Sequence, residues 1–450
     1  MEKIYFVLFA FLFSVSSLAG SGEDYQKYYY VTPTASGSNN GLNWTNAWGP
    51  YSIDWDTLNA AIDTWGDVYL CFSGSTNYQI YYLDTSISIT KSGKSSGKII
   101  ITSGQHSEYP TGHSGFVFLT GKNSNGNYNS GVNTIFDLKG NDYIKIYDLT
   151  LIDIIIPTNA GARWLIDANS SDNCIFDSLT LRNTFQWYHA DPEPDSSDDS
   201  KAPTERNVDG IRLGSYSIVS NCNFSYLDCG VYGDSVSNNT ITNCFFSENL
   251  MDVRRRYLED IKKYYFLYQD SGQFYHSSFH YGEGKDIYFR SAKDCTVCNC
   301  SLTVKGSSGI TIDCSSNMTI TNNCINTVAN FGTPIADYNL RQVDCIKVGE
   351  LGQDGTFSSN ELLTIKENTL INTSSWTFSH DDCIQFYTDI DNLYEGGSSS
   401  KRYYYNTNNS NVYQIAEIYR NFIVQTSSSD TSNTGIIIGG AEKYNPNIRF

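Results

Sequence analysis

The chain has 450 residues, with 48 acidic against 30 basic side chains, a formal net charge of −18, 12 cysteines, 9 prolines and 34 tyrosines. That charge argues against a nucleic-acid binder, which carries basic patches, and against direct attraction to an acidic polymer unless cations intervene. An apolar share of 40% is enough for a core and excludes wholesale disorder, while the wealth of Tyr, Asn, Ser, Thr and Gly points to an all-β protein.

At the N-terminus, Lys3 precedes the apolar run Ile4 to Phe13, which gives way to small residues ending Ser17-Leu18-Ala19. A basic start, a short greasy stretch and a small-x-small site are the layout of a cleaved secretory peptide. Residues 1–19 are therefore read as a signal, and the mature chain as secreted, extracellular or held at the cell surface. No other stretch reaches about 18 apolar residues, so no membrane span is expected after cleavage. Residues 20–66 are read as a lead-in and cap. Within them Asp56 to Thr64 can form a short helix with Leu58, Ala61, Ile62 and Trp65 on one side. Gly66-Asp67-Val68-Tyr69-Leu70 reads as the first strand of a domain covering 67–450.

Further on, one strand pattern recurs: Asp209-Gly210-Ile211-Arg212-Leu213, Cys229-Gly230-Val231-Tyr232, Asp286-Ile287-Tyr288-Phe289 and Gly309-Ile310-Thr311-Ile312. It continues with Asp344-Cys345-Ile346-Lys347-Val348, Asp382-Cys383-Ile384-Gln385-Phe386 and Gly435-Ile436-Ile437-Ile438. A second pattern follows several copies: Ile218-Val219-Ser220-Asn221-Cys222, Thr240-Ile241-Thr242-Asn243-Cys244, Thr296-Val297-Cys298-Asn299-Cys300 and Thr319-Ile320-Thr321-Asn322-Asn323-Cys324. Each copy holds period-2 strands between polar turns and cannot bury its apolar side alone, so copies stack into a parallel β-solenoid. Stacking lines up Asn221, Asn243, Asn299 and Asn322, whose amides can bond between coils. Cys222, Cys244, Cys300 and Cys324 fall beside them and are expected to face the interior as free, small apolar residues. Their parallel Cβ directions fit the disulfide dihedral of about 90° poorly. No Cys-x-x-Cys pair recurs with matched His spacing, so no zinc site is assigned.

These stacked patterns, with Tyr30-Val31-Thr32-Pro33 and Gly41-Leu42-Asn43-Trp44-Thr45-Asn46-Ala47-Trp48 near the start, resemble the right-handed parallel β-helix proteins of the pectate-lyase-like superfamily. The resemblance covers nearly the whole mature chain and is specific for fold rather than for reaction. It implies an all-β right-handed parallel β-helix (a solenoid) with long loop insertions, whose open end the Asp56 to Thr64 helix caps, shielding strand edges and core. The last recognisable strand is Ile436 to Ile438; either Tyr444 to Phe450 covers that end, or the chain is a fragment.

Long non-repeat segments flank the first strand of several coils: 185–207, 248–285, 327–342 and 372–380 before it, 349–360 and 387–411 after it. Such segments are usually functional. They are expected to wall a cleft, with Trp187 and Tyr188 among aromatics suited to stacking on sugar rings. If Ile211, Ile346 and Ile384 point inward, alternation sends Arg212, Lys347 and Gln385 into the cleft. Asp209, Asp344 and Asp382 open their strands at the turn, where a side chain can swing outward or bond turn amides.

Asn207-Val208-Asp209-Gly210 and Asp381-Asp382-Cys383-Ile384 look like polygalacturonase motifs, which in that family meet at one sugar. Here five coil steps separate them, roughly 24 Å at ~4.8 Å each, against the ~5–9.5 Å of paired glycosidase carboxylates. A site spanning both is rejected. The coil next to Asp209 offers Cys229 and Tyr232 and no second carboxylate, whereas Asp344 and Asp382 open consecutive coils with Asp381, His380, Lys347, Gln385 and Arg341 around them. The site is therefore placed on the coils of Ile346 and Ile384. Asp344, Asp381 and Asp382 are the candidate calcium ligands. The resemblance implies β-elimination from a uronate polymer, in which a Lys or Arg beside the metal takes the C5 proton. Lys347 is given that role, with His380 and Arg341 as further catalytic candidates; Gln385, Arg212, Trp187 and Tyr188 are read as substrate-binding. The leading expectation is a secreted, calcium-assisted polysaccharide lyase, a monomer whose partner is a polysaccharide and not nucleic acid. One alternative is a β-helix glycoside hydrolase using His380, Asp381 and Asp382. The other is a glycan-binding or adhesive surface protein without catalysis.

Overall fold

The computed structural model describes residues 27–75, 78–104, 113, 115–154, 163–183, 208–247, 285–304, 308–327, 344–349, 362–372, 383–386, 414–425, 436–438 and 447–449. The described strands form three parallel sheets of 12, 10 and 10 strands. One coil runs through Val208–Arg212 in sheet I, Ile218–Ser220 in sheet II and Asn223–Ser225 in sheet III, and Cys229–Asp234 then returns to sheet I. Each turn thus advances by one strand spacing, ~4.8 Å, and parallel crossovers of this kind are right-handed. The expected all-β solenoid forms, and Trp55–Trp65 is the one α-helix among the described residues. Asp54 starts it by accepting from Thr57 N at 3.1 Å, and Gly66, at φ 72°, ends it. Leu58 and Ile62 are buried.

Period-2 alternation builds the core. Ile211, Val231, Ile287, Ile310, Ile346 and Ile384 stack in register in sheet I, all buried. They face Val219, Ile241, Val297 and Ile320 from sheet II and Phe224, Phe246, Leu302 and Ile325 from sheet III. At ~1.5–3 kcal/mol per fully buried side chain, this continuous core, not any one coil, holds the stack together.

The corners explain the rest of the repeat. Where sheet III bends into sheet I, a Cβ on Gly210 would come 2.3 Å from the Gly230 carbonyl oxygen, and one on Gly230 would come 2.6 Å from Phe246 Cε1. The residue before the inward Ile or Val is therefore also enclosed, and it is small at Gly210, Gly230, Gly309, Cys345 and Cys383, whereas Leu165 and Asp286 hold the same place, both buried. Where sheet II turns into sheet III, Asp148, Ser178, Asn221, Asn243, Asn299, Asn322, Glu367 and Arg420 form one column at φ between 51° and 58°. Asn tolerates that left-handed conformation better than most residues, so the repeated Asn serves the backbone, and Asn221 also bonds between coils as expected, its Nδ2 donating to Asp177 Oδ1 at 2.8 Å.

The amide ladder stands one residue further on. The inward corner column reads Leu149, Leu179, Cys222, Cys244, Cys300, Asn323, Asn368 and Asn421. This corrects the placement of Cys324. The copy from Thr319 carries one extra residue, so Asn323 takes the inward place and Cys324 opens the next strand, exposed and in register with Ser301. The three other cysteines of the predicted column are buried, and all 12 are free. Both ends differ from expectation as well. Lys27–Val31 pairs with Val68–Phe72 as an earlier strand, and Asn447–Arg449 pairs with Gln414–Tyr419 beyond Ile436–Ile438. Residues 1–19 lie outside the described residues.

Candidate functional site

The outward column of sheet I runs in register through Asp137, Asp167, Arg212, Tyr232, Tyr288, Thr311, Lys347 and Gln385. Alternation thus brings Arg212, Lys347 and Gln385 onto one face, Arg212 and Lys347 being four coil steps, roughly 19 Å, apart. The expectation of an open Gln385 is corrected, and of the two alternatives for the acids the turn-amide one holds at Asp209. Gln385 is only 4% exposed, and its Oε1 has no hydrogen-bond partner among the described residues. Asp344 is 0% and Asp209 3% exposed. Asp209 Oδ1 accepts from Cys229 N at 2.8 Å, which is the turn-amide role. Trp187, Tyr188, Arg341, His380, Asp381 and Asp382 lie outside the described residues, as does nearly all of the expected cleft walls. Among the described residues no three potential ligands gather to hold a metal ion. Of the three expected calcium ligands, Asp344 alone is among the described residues.

A second cluster, on the Asp209 coil and its neighbours, was missed from the sequence. Asp209, Asp228 and Lys285 meet at the corner where successive coils enter sheet I: Asp228 N donates to Val208 O at 2.9 Å and Lys285 N to Asp228 O at 3.0 Å. Burial first, and the Asp228 carboxylate second, push the Asp209 carboxyl well above the usual carboxylate range, against the Cys229 N–H and Lys285. Asp228 is therefore the second carboxylate that the sequence reading denied to this coil. It precedes the strand pattern by one residue, and only the turn carries it to Asp209.

Beside this corner lies an aromatic strip. Trp164 and Tyr232 stack with centroids 5.2 Å apart and planes at 29°, and Tyr232 and Tyr288 follow at 5.3 Å. Lys285 Nζ sits 3.9 Å from the Tyr288 ring and the Arg212 guanidinium 5.8 Å from that of Trp164. Tyr232 OH donates to Asp234 Oδ2 at 3.2 Å and Tyr288 OH to Asp313 Oδ2 at 3.5 Å, with Arg290 in register between Asp234 and Asp313. Burial, then Asp234, raises the Tyr232 pKa. The two tyrosines share the alternation position of Arg212 and Lys347, so the strand pattern already held that signal. Chemically, the face offers flat apolar rings and flanking cations beside the Asp209–Asp228 pair, in which burial and Asp228 push the Asp209 carboxyl up.

Several solved structures are similar to this chain, all at low identity. An alginate lyase from Paenibacillus sp. str. FPU-7 is 12% identical over 85% of this chain and 96% of its own, with a TM-score of 0.34. A glycoside hydrolase is 8% identical over 77% and 94%, with a TM-score of 0.42. The tailspike of E. coli bacteriophage HK620, in complex with a pentasaccharide, is 14% identical over 93% and 66%, with a TM-score of 0.39. No curated protein sequence matches. Residues 209–375 match the family model described as "Right handed beta helix region", and with three parallel sheets visited in turn the chain is a right-handed parallel β-helix.

Proposed function

We propose that the protein binds a carbohydrate chain along the outer face of sheet I and cleaves it by acid–base chemistry at Asp209 and Asp228. The observation that supports this is the Asp209 carboxyl, pushed well above the usual carboxylate range by burial and by Asp228, at the edge of the Trp164–Tyr232–Tyr288 strip. Glycoside hydrolysis uses one carboxylic acid to protonate the leaving oxygen and one carboxylate to act on water or on the anomeric carbon. Asp209 supplies the acid and Asp228 the carboxylate. Aromatic faces receive sugar rings, and Arg212 and Lys285 favour an anionic sugar on a chain whose overall charge of −18 would repel it. Export by residues 1–19 delivers the enzyme to extracellular polysaccharide.

A second reading places β-elimination of a uronate polymer on the next part of the same column. It is favoured by Gln385, which lies in register with Lys347 and whose buried Oε1 has no partner among the described residues and would accept from a sugar hydroxyl. Lys347 is then the base, and Asp344, Asp381 and Asp382 are the proposed calcium ligands.

One assay separates the readings. The mature protein is incubated with neutral and uronate polysaccharides, with and without Ca²⁺, following reducing ends and the ultraviolet absorbance of unsaturated product. Hydrolysis raises only the first signal; elimination raises both. On the first reading Asp209→Asn lowers turnover by about 10²-fold or more, and Lys347→Ala leaves it nearly unchanged. The opposite pattern moves the site to Lys347, and no cleavage of any polymer leaves glycan binding alone.

A further inference from the structure

The three sheets end differently at the N-terminal end of the stack. In sheet II the first strand, Lys27–Val31, is covered: Tyr30 N donates to Gly41 O, Trp48 N to Tyr30 O and Thr32 N to Trp48 O, each at 2.9 Å. In sheet I the first strand, Ile87–Ser88, is two residues long. Sheet III instead begins with Tyr78–Tyr82, five residues paired on one side only, with Phe116–Thr120. Leu83 N donates to Thr120 O, so by alternation Gln79 and Tyr81 bond along the ladder while Tyr78, Ile80 and Tyr82 turn their backbone groups to the open edge. Two of those carbonyls are met by side chains, Tyr78 O by Ser75 Oγ at 2.7 Å and Ile80 O by Gln79 Nε2 at 3.2 Å. Among the described residues nothing meets the N–H groups of Ile80 and Tyr82.

The side chains along this edge are as unusual as its backbone. Tyr78 is 56%, Tyr82 45% and Phe116 61% exposed, and Tyr78 packs edge-on against Phe118 with centroids 5.6 Å apart. Natural sheets blunt open edges with Lys, Pro or a bulge. Tyr-Gln-Ile-Tyr-Tyr has none of these and carries no charge.

We propose that this edge pairs with the same edge of a second copy of the chain, as an antiparallel strand pair about a two-fold axis at Ile80. The sequence itself fits that occupant. With Ile80 opposite its counterpart, Tyr78 meets Tyr82 of the second copy and Tyr82 meets Tyr78, two aromatic cross-strand pairs of the favourable kind. A residue on such an axis exchanges both backbone hydrogen bonds with its own counterpart, which uses the free N–H of Ile80. Two copies each carrying −18 repel across most of their surfaces, so a contact between them needs an uncharged strip. The dimer replaces the monomer expected from the sequence. It uses sheet III and stands whether or not the proposed chemistry on sheet I is right.

The test is oxidative cross-linking of the mature chain in a Cys324→Ser background, which removes the exposed thiol. Ile80→Cys places a thiol on the axis; Phe116→Cys, one strand inside the edge, is the control. Ile80→Cys is expected to form a disulfide dimer roughly tenfold faster than the control or more, through its high effective concentration. Sedimentation velocity of the unmodified mature protein should show a concentration-dependent dimer that Ile80→Lys abolishes at an unchanged melting temperature. Equal cross-linking rates, or an unmodified protein that stays monomeric well above micromolar concentration, would overturn the proposal. A monomer that captures an uncharged extended peptide would overturn it in favour of a strand from another protein.

Discussion

The corner between sheets II and III is built in two ways within one column. In the coils of Cys222, Cys244 and Cys300 the inward side chain is a thiol, whereas in those of Asn323, Asn368 and Asn421 it is an amide. Both reach for the same atom, the carbonyl oxygen of the middle residue of an earlier strand in sheet II. Cys222, Cys244 and Cys300 lie 3.5, 3.7 and 3.8 Å from Phe176 O, Val219 O and Ile241 O. Asn323, Asn368 and Asn421 lie 3.0, 3.1 and 3.0 Å from Val297 O, Ile320 O and Ile365 O. The amide also accepts: Asn368 Oδ1 takes Asn323 N at 2.9 Å and its Nδ2 at 3.0 Å, tying coil to coil through side chains. A thiol is a weak donor and weaker acceptor, so its half rests on packing. One backbone place thus takes an apolar filler or a polar network, provided the network is complete.

The largest expected effect breaks the amide half. Asn368→Ala removes two bonds given, to Ile320 O and Asn421 Oδ1, and two received from Asn323, leaving buried groups unmet. A loss of ~3 kcal/mol is expected in urea unfolding, and a loss below ~1 kcal/mol would show that the ladder adds little beyond the backbone. Cys244→Ala, which deletes one packed atom and a weak bond, should cost only ~1 kcal/mol in the same measurement.

Cys300→Asn sharpens the comparison by extending the ladder one coil, since Ile241 O already waits where the new amide would donate. Its stability should stay within ~1 kcal/mol of the parent; a loss as large as that of Asn368→Ala would mean the two halves are not interchangeable. The smallest effect is on reactivity alone. In the native protein the exposed Cys324 should react first with a thiol reagent, and the column thiols should not react until unfolding. The neighbouring Cys222 thiol, followed by burial, pushes Cys244 up, and Cys244 with burial does the same to Cys300. Elsewhere, burial alone takes Cys71 to about 12. Native labelling of Cys244 would show that the column opens.

One further measurement addresses the site. Because burial and Asp228 raise Asp209 in the folded state, the folded chain keeps a proton that the unfolded chain loses near pH ~4. Stability should therefore fall as pH rises from there to the folded pKa, and Asp209→Asn should flatten that slope in thermal melts.

Much of this was legible in the chain. The repeat of strand patterns requires stacking, since no single coil can bury its own apolar side, and period-2 alternation put Arg212, Lys347 and Gln385 on one face. The helix at Trp55–Trp65 was readable from its apolar side to within one residue at each end. What misled was the assumption that alternation survives the corners. It put the position before the inward Ile on the outside, yet a Cβ on Gly210 or Gly230 would meet the interior, and Cys345 and Cys383 are buried there.

The sequence by itself determined the parallel solenoid and its columns, because local period and the need to bury one face leave no other arrangement. Only the tertiary structure decided which of two neighbouring columns lies inside, so that Asn323 and not Cys324 is buried, and which acids meet, so that Asp228 reaches Asp209. Both depend on how each turn offsets one coil against the next. That offset is set by contacts between residues 20 or more positions apart, such as Asp209 with Cys229 and Cys300 with Asn323, which no local pattern encodes.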